Sequence, residues 1–205
     1  CVEFRPPMKR FLFAAAILAG ASALPAHAQQ QSQSYKFLQA VKDAKGDEVT
    51  KILDQPGQRI INTRDVTTGD GALHIVIRRG DDSYLRYLLS RGADPNLRNG
   101  KGDTPLLMAV QLGQNNLVDT LLLVKANPNL ANSAGETPLI RAVQRRDLPL
   151  VRVLLNAGAD PDLTDNIAGM SARDYAHADS RSPAIAKVID EKPKTAPRAV
   201  AGPKM

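Results

Sequence analysis

The chain has 205 residues, 43% hydrophobic and 23% charged, which suits one packed domain with tails and excludes wholesale disorder. Aromatics are 4% with no Trp, which argues against an aromatic-rich β-sandwich or a base-stacking nucleic-acid module, and 3 His with 1 Cys are too few for a Cys/His zinc site. The net charge of +6 sits at the ends: residues 1–28 carry +2, residues 29–191 balance 20 Lys/Arg against 20 Asp/Glu, and residues 192–205 carry +4, so the neutral body lacks the electrostatic support that nucleic-acid binding needs.

Met8 opens a stretch with the anatomy of an export signal. Lys9 and Arg10 supply positive charge, the run from Phe11 to Ala23 is almost wholly apolar, and Ala26-His27-Ala28 is an A-x-A cleavage site followed by Gln29-Gln30-Gln31. Met8 is the expected initiator, and cleavage is expected after Ala28. An uncleaved membrane anchor is the other reading, but the apolar run falls short of the ~18–20 residues that span a bilayer. Cys1 lies upstream of the apolar run, so it cannot be a lipoprotein cysteine, and a chain starting at Gln29 has no Cys and needs no disulfide. The expected location is the periplasm of a Gram-negative bacterium, or outside the cell, with no stable membrane insertion.

Residues 29–34 form a Gln/Ser linker, and beyond it the chain repeats itself every 33 residues. Ala93-Asp94-Pro95-Asn96 recurs as Ala126-Asn127-Pro128-Asn129 and as Ala159-Asp160-Pro161-Asp162. Thr104-Pro105-Leu106 recurs as Thr137-Pro138-Leu139; Gly69, Gly102 and Gly135 keep the same step, as do Leu88-Leu89, Leu121-Leu122 and Leu154-Leu155.

Each unit predicts two short helices and a loop. Thr104 can cap a helix through its hydroxyl, and Pro105 fits the first helical position, where no N–H is needed. Leu106, Ala109 and Val110 then fall on one face, and Gly113 ends the helix. A second helix carries Leu117, Val118, Leu121 and Leu122, and the Asn/Pro/Gly-rich stretch from Ala126 to Gly135 is a turn-bearing loop. Helices this short cannot bury their own apolar faces, whereas stacking on like neighbours can.

These motifs resemble the ankyrin repeat, whose pattern starts G-x-T-P-L-H-x-A and closes its second helix with L-L before G-A-D-x-N. The resemblance covers about residues 35–191 and implies an all-α solenoid of about five stacked repeats, phased at about 35–65, 66–98, 99–131, 132–164 and 165–191. The first unit keeps Gly46-Asp47 and Val49, Ile52 and Leu53 but lacks the T-P-L start. The last has Gly169-Met170-Ser171-Ala172 one residue late. Only His74 keeps the family's His, which the resemblance makes a structural bond between repeats; Leu107 and Ile140 replace it elsewhere. Lys125 and Arg146 stand where the pattern has helix-ending Gly.

Catalytic constellations are absent from this pattern. After the expected cleavage only His74 and His177 remain as imidazole bases, Gly100-Lys101-Gly102 lacks the phosphate-loop frame, and the acids show no calcium-loop spacing. No cofactor, metal or enzymatic activity is expected. The resemblance places partner contacts on the concave face, at Thr67, Thr68, Asp70, Arg78, Arg79, Arg98, Lys101, Asp103, Gln111, Leu112, Ser133, Glu136, Gln144 and Arg145. Asp70, Asp103 and Glu136 would align as an acidic ladder, and Arg79, Leu112 and Arg145 as a parallel row flanked by Arg78 and Arg146. Two readings fit those rows: acids and bases complementing helix dipoles, or a charged groove that orients a partner.

Residues 192–205 hold Pro193, Pro197 and Pro203, four bases and little to bury, a disordered tail that is either a linker or solubilising end or is weakly drawn to anionic lipid or cell-wall polymer. The function expected is a monomeric, non-catalytic scaffold binding a protein partner. The alternative is an inhibitor or immunity protein that blocks an enzyme or toxin active site.

Overall fold

The structure is a computed structural model that describes residues 26–55 and 60–193, with side chains described from residue 33 onward. Helices follow in five pairs: α1 (Ala26–Lys42) with α2 (Gly46–Leu53), α3 (Ala72–Arg79) with α4 (Asp82–Ser90), α5 (Pro105–Leu112) with α6 (Asn115–Leu123), α7 (Pro138–Gln144) with α8 (Leu148–Asn156), and α9 (Ala172–Ala178) with α10 (Pro183–Asp190). The first helices stack as one inner layer, α1 on α3, α3 on α5, α5 on α7 and α7 on α9. The second helices form the outer layer, with α4 against α6 and α8 against α10. Among the described residues there is no strand beyond two isolated antiparallel bridges, Arg64 to Gly71 and Thr164 to Ser171. The all-α solenoid implied by the resemblance is the fold that forms.

The helix starts follow from local chemistry. The Thr104 hydroxyl accepts from Leu107 N–H at 3.2 Å and the Thr137 hydroxyl from Ile140 N–H at 3.2 Å, each with Pro at the first position. At the matching place Gly71 caps α3, and a Cβ there would lie 2.4 Å from Leu97 Cδ2, so that side chain would have to shift to admit a threonine. Gly113 closes α5 in the left-handed region at φ +71°, and Arg146 occupies the same place after α7 at φ +58°. Lys125 takes the corresponding place after α6 at φ +61°. A side chain held there costs about 1 kcal/mol relative to glycine. Ala44 joins them at φ +58°, a position that no spacing marked.

Leu88, Leu121 and Leu154 are wholly buried, at one phase of successive outer helices, and they belong to a single core running the length of the stack. Residues 29–34, expected as a linker, are instead helical within α1. No Gly or Pro interrupts the sequence between Ala26 and Lys42, and Gln and Ala are good helix formers. The export signal expected over 1–28 lies outside the described residues except for Ala26–Ala28, and the tail expected over 192–205 lies outside them except for Lys192 and Pro193. No helix among the described residues is long and apolar enough to cross a membrane.

Candidate functional site

A finger-like turn joins each outer helix to the next inner helix. In the middle of the array it is closed by Asn99 N–H to Asp103 C=O at 3.0 Å and by Asn132 N–H to Glu136 C=O at 3.0 Å. The terminal fingers are one residue longer, closed by Asp65 N–H to Asp70 C=O at 2.9 Å and Asp165 N–H to Met170 C=O at 3.0 Å. Successive tips bond to each other: Gly100 N–H to Thr68 C=O at 3.0 Å, Ser133 N–H to Lys101 C=O at 3.0 Å, and Asn166 N–H to Ala134 C=O at 2.9 Å. The recurrent Gly is required by this approach, since a Cβ on Gly102 would stand 2.7 Å from Ser133 N.

The expected acidic ladder exists, and it is sunk. Asp70 and Asp103 are 6% and 5% exposed. Asn99 folds its own finger by accepting from Lys101 N–H at 2.9 Å and Asp103 N–H at 3.0 Å, and its amide donates back to Asp70 at 3.0 Å. Asn132 does the same one repeat on, accepting from Ala134 and Glu136 N–H at 3.0 Å and donating to Asp103 at 3.0 Å and Glu136 at 3.1 Å. The inner helices supply the second partner of each acid: Arg78 at 2.6 Å from Asp70, Gln111 at 3.3 Å from Asp103, and Arg141 at 3.6 Å from Glu136. Asn99 and Asn132 were not among the sequence candidates, although they stand 33 apart, three residues before Gly102 and Gly135. The periodic signal was present, but an amide attracts no notice beside a row of carboxylates.

The ladder changes character at the last repeat. Asp165 replaces the Asn, so it accepts where Asn donates, taking Ile167, Ala168 and Gly169 N–H at 3.0, 2.7 and 3.0 Å and the Tyr175 hydroxyl at 2.5 Å. The Tyr175 hydroxyl, with those N–H groups, holds the Asp165 carboxyl below the usual carboxylate range, and Asp165 in turn pushes the phenol up.

The cationic row divides. Arg79 donates to Val41 C=O at 2.7 Å and Arg145 to Gln111 C=O at 3.2 Å, so each secures the C-terminal end of the inner helix before its own. Arg79 also lies 3.3 Å from Asp81 and stacks over Tyr84. Leu112, between them in the row, is 48% exposed. Arg98 lies away from the groove and donates to Ala131 C=O. Gln144 accepts from Arg141 at 3.1 Å and lines a separate small cleft with Tyr175 and Asp179.

The remaining candidates converge. Asp70, Arg78, Lys101, Asp103, Gln111 and Leu112 line one cleft of about 530 Å³. It adjoins a second of about 490 Å³ that shares Lys101, Asp103 and Gln111 and extends to Glu136 and Arg141. Together they form a groove between the fingers and the inner helices. A third cleft of about 510 Å³ opens at the N-terminal end, lined by Tyr35, Leu38, Lys42, Asp65 and Val66. Its Lys42–Asp65 pair at 2.8 Å is the first cause holding the Asp65 carboxyl far below the carboxylate range.

Neither His74 nor His177 is poised for chemistry. His74 is fully buried; its Nδ1 accepts from Gly71 N–H at 3.2 Å, which leaves Nε2 protonated and donating to Asp103 C=O at 2.9 Å. Desolvation lowers its pKa from 6.5, so the ring is neutral. His177 Nε2 pairs with Asp190 at 3.0 Å on the surface. Among the described residues no cluster of His, Cys, Asp or Glu could hold a metal ion.

Comparison with known proteins agrees with the geometry. A family model described as "Ankyrin repeats (3 copies)" matches residues 37–132 and 73–165, more than half of the chain. The Nuclear factor NF-kappa-B p110 subunit of Drosophila melanogaster is 39% identical over 46 residues, which are 22% of this chain and 5% of that protein. Ankyrin arrays generally mediate protein–protein interaction and are typically non-catalytic. With five stacked helix pairs, Gly-hinged fingers and a family match over most of the stack, the chain belongs to the ankyrin-repeat family.

Proposed function

We propose that this protein is an exported, monomeric, non-catalytic binding array of the bacterial periplasm that takes a protein partner in the groove between its fingers and inner helices. The observation that carries the reading is the stratified groove: Arg78, Lys101 and Leu112 stand exposed over carboxylates that are already partnered. Such a surface presents side chains to a partner without unsatisfied charge beneath. Export is supported by the apolar run from Phe11 to Ala23 and the A-x-A site at Ala26–Ala28. The engagement of His74 and His177 supports the absence of catalysis.

Site-specific photocrosslinking tests the surface. A photoreactive residue at Leu112 should yield a protein adduct in periplasmic extract, and one at exposed Asp119 on α6 should not. Adducts formed at Asp119 alone would move the binding face to the outer helices.

A further inference from the structure

The groove's charges are sorted by depth. Its acids lie deep, with side-chain exposures of 8% for Asp70 and 17% for Glu136, and Asp103 is 5% exposed as a whole residue. Its bases lie shallow: Arg78 is 61% exposed, Arg141 is 38%, and Lys101 is exposed with no ion pair among the described residues. Formal charge along the groove cancels, three acids against three bases, yet an approaching chain meets the cations first. Among them stands Leu112, 48% exposed in the same cleft as Arg78 and Lys101.

Resting on the reading that this groove is the binding face, we propose that its occupant is an acidic, extended peptide segment bearing apolar side chains, with carboxylates over Lys101 and Arg78 and an apolar group on Leu112. Three physical points carry it. Lys101 is uncommitted, so pairing it with a carboxylate breaks no existing bond. Arg78 holds Asp70 through one terminal nitrogen, Nη2, at 2.6 Å, and a guanidinium has further N–H donors to offer. Leu112 gains by removal from water, and no charged atom of its own needs a partner. A basic segment would reach the floor acids only past Arg78, Lys101 and Arg141, and those acids already have donors. The same charge logic excludes the chain's own C-terminal stretch, since residues 192–205 hold four bases and no acid.

The test is fluorescence anisotropy of short labelled peptides titrated with the full chain at low and physiological salt. One peptide carries Glu and Leu, a second Lys and Leu, a third Glu and Ser, all on a Gly/Ser background. The Glu/Leu peptide should bind at least ~tenfold tighter than either other. Its affinity should fall with added salt, because the contacts are exposed. Lys101→Glu and Leu112→Asp should each weaken it by ~fivefold or more while leaving the helical circular dichroism unchanged, since both side chains are exposed. Preference for the Lys/Leu peptide, no binding of any peptide, or Glu/Leu binding indifferent to both substitutions overturns the proposal. If Lys/Leu binding wins and Leu112→Asp abolishes it, the partner chemistry fails and the groove survives as the site. If Leu112 crosslinks to nothing in extract, the groove itself fails.

Discussion

His74 carries a junction that its counterparts leave to apolar contact. Its ring bonds backbone on both sides, to Gly71 within its own finger and to Asp103 in the next, whereas Leu107 and Ile140 fill the equivalent space as buried hydrocarbon. Burial makes the neutral ring the stable form in the folded state, so its pKa lies below 6.5 there and returns to the ordinary value on unfolding. Below pH 6.5 the unfolded chain binds a proton that the folded chain refuses. Stability from this residue is therefore complete above that pH and declines as pH falls through it towards the lower folded value. Denaturant melts of the wild type and His74→Leu across that range should show a wild-type slope that the variant lacks. The variant should also be weaker at neutral pH by about 1–3 kcal/mol, since Gly71 N–H loses its partner and Asp103 C=O keeps only Asn99 N–H. Parallel pH profiles would show that the ring is not the titrating group. The role of His74 was legible from the family pattern. That of Asn99 and Asn132 was not, because their amides work through contacts 29 residues away that no local pattern encodes.

Among the elements, the fingers and the last helix pair show how the array ends. Terminal fingers gain a residue and exchange Asn for Asp, and their tips expose Val66 and Ile167, 90% and 78% accessible. The late Gly169 signalled the insertion at the C-terminal end. The fifth repeat is then closed by Arg173, which the sequence shows only as one more base beside Ala172. Its side chain is 8% exposed and spans Asp162 at 2.7 Å, Asp190 at 3.1 Å and the carbonyls of Ile189 and Lys192 at 3.2 Å. In earlier repeats the matching Asn faces forward: Asn96 accepts from Asn127 N–H at 2.8 Å and Asn129 from Asp160 N–H at 2.7 Å. Asp162 at the matching place pairs with Arg173 instead. Arg173→Ala should destabilise the fold by roughly 2–4 kcal/mol, because it takes the guanidinium from the partly buried Asp162 carboxylate and from the Lys192 carbonyl, while Ile189 C=O keeps Lys192 N–H and Asp190 stays half exposed. Hydrogen exchange should quicken in α10 first and leave α5 and α6 protected; uniform acceleration through all repeats would show that Arg173 is not a cap.

At the scale of the whole molecule, the expected processing site meets the fold closely. Helix α1 begins at Ala26, so cleavage after Ala28 removes three of its residues and leaves Gln29–Lys42 to pack on α3. Phe37 and Val41, which anchor that packing, are fully buried and far from the cut. Intact mass of the exported protein should therefore begin at Gln29, and its melting temperature should match that of a chain begun at Ala26 within about 2 °C, because the last few residues of a terminus contribute little to stability. A product beginning at Met8 or Cys1 would refute processing. A large loss of stability on starting at Gln29 would show that the first turn of α1 is structural.

The sequence by itself determined the repeat length, the helix boundaries set by Thr, Pro and Gly, the buried leucine phase and the left-handed sites at Lys125 and Arg146. Each is a local or strictly periodic property, written in one unit and copied to the next. Only the tertiary structure decided which charged residues are committed. Whether Asp70 faces a partner or Asn99, and whether Arg145 faces solvent or the Gln111 carbonyl, depends on the distance between stacked repeats, and no single repeat contains that distance. The stack sinks the acids, ties Arg79 and Arg145 to neighbouring helix ends, and leaves Arg78, Lys101 and Leu112 at the surface of the groove.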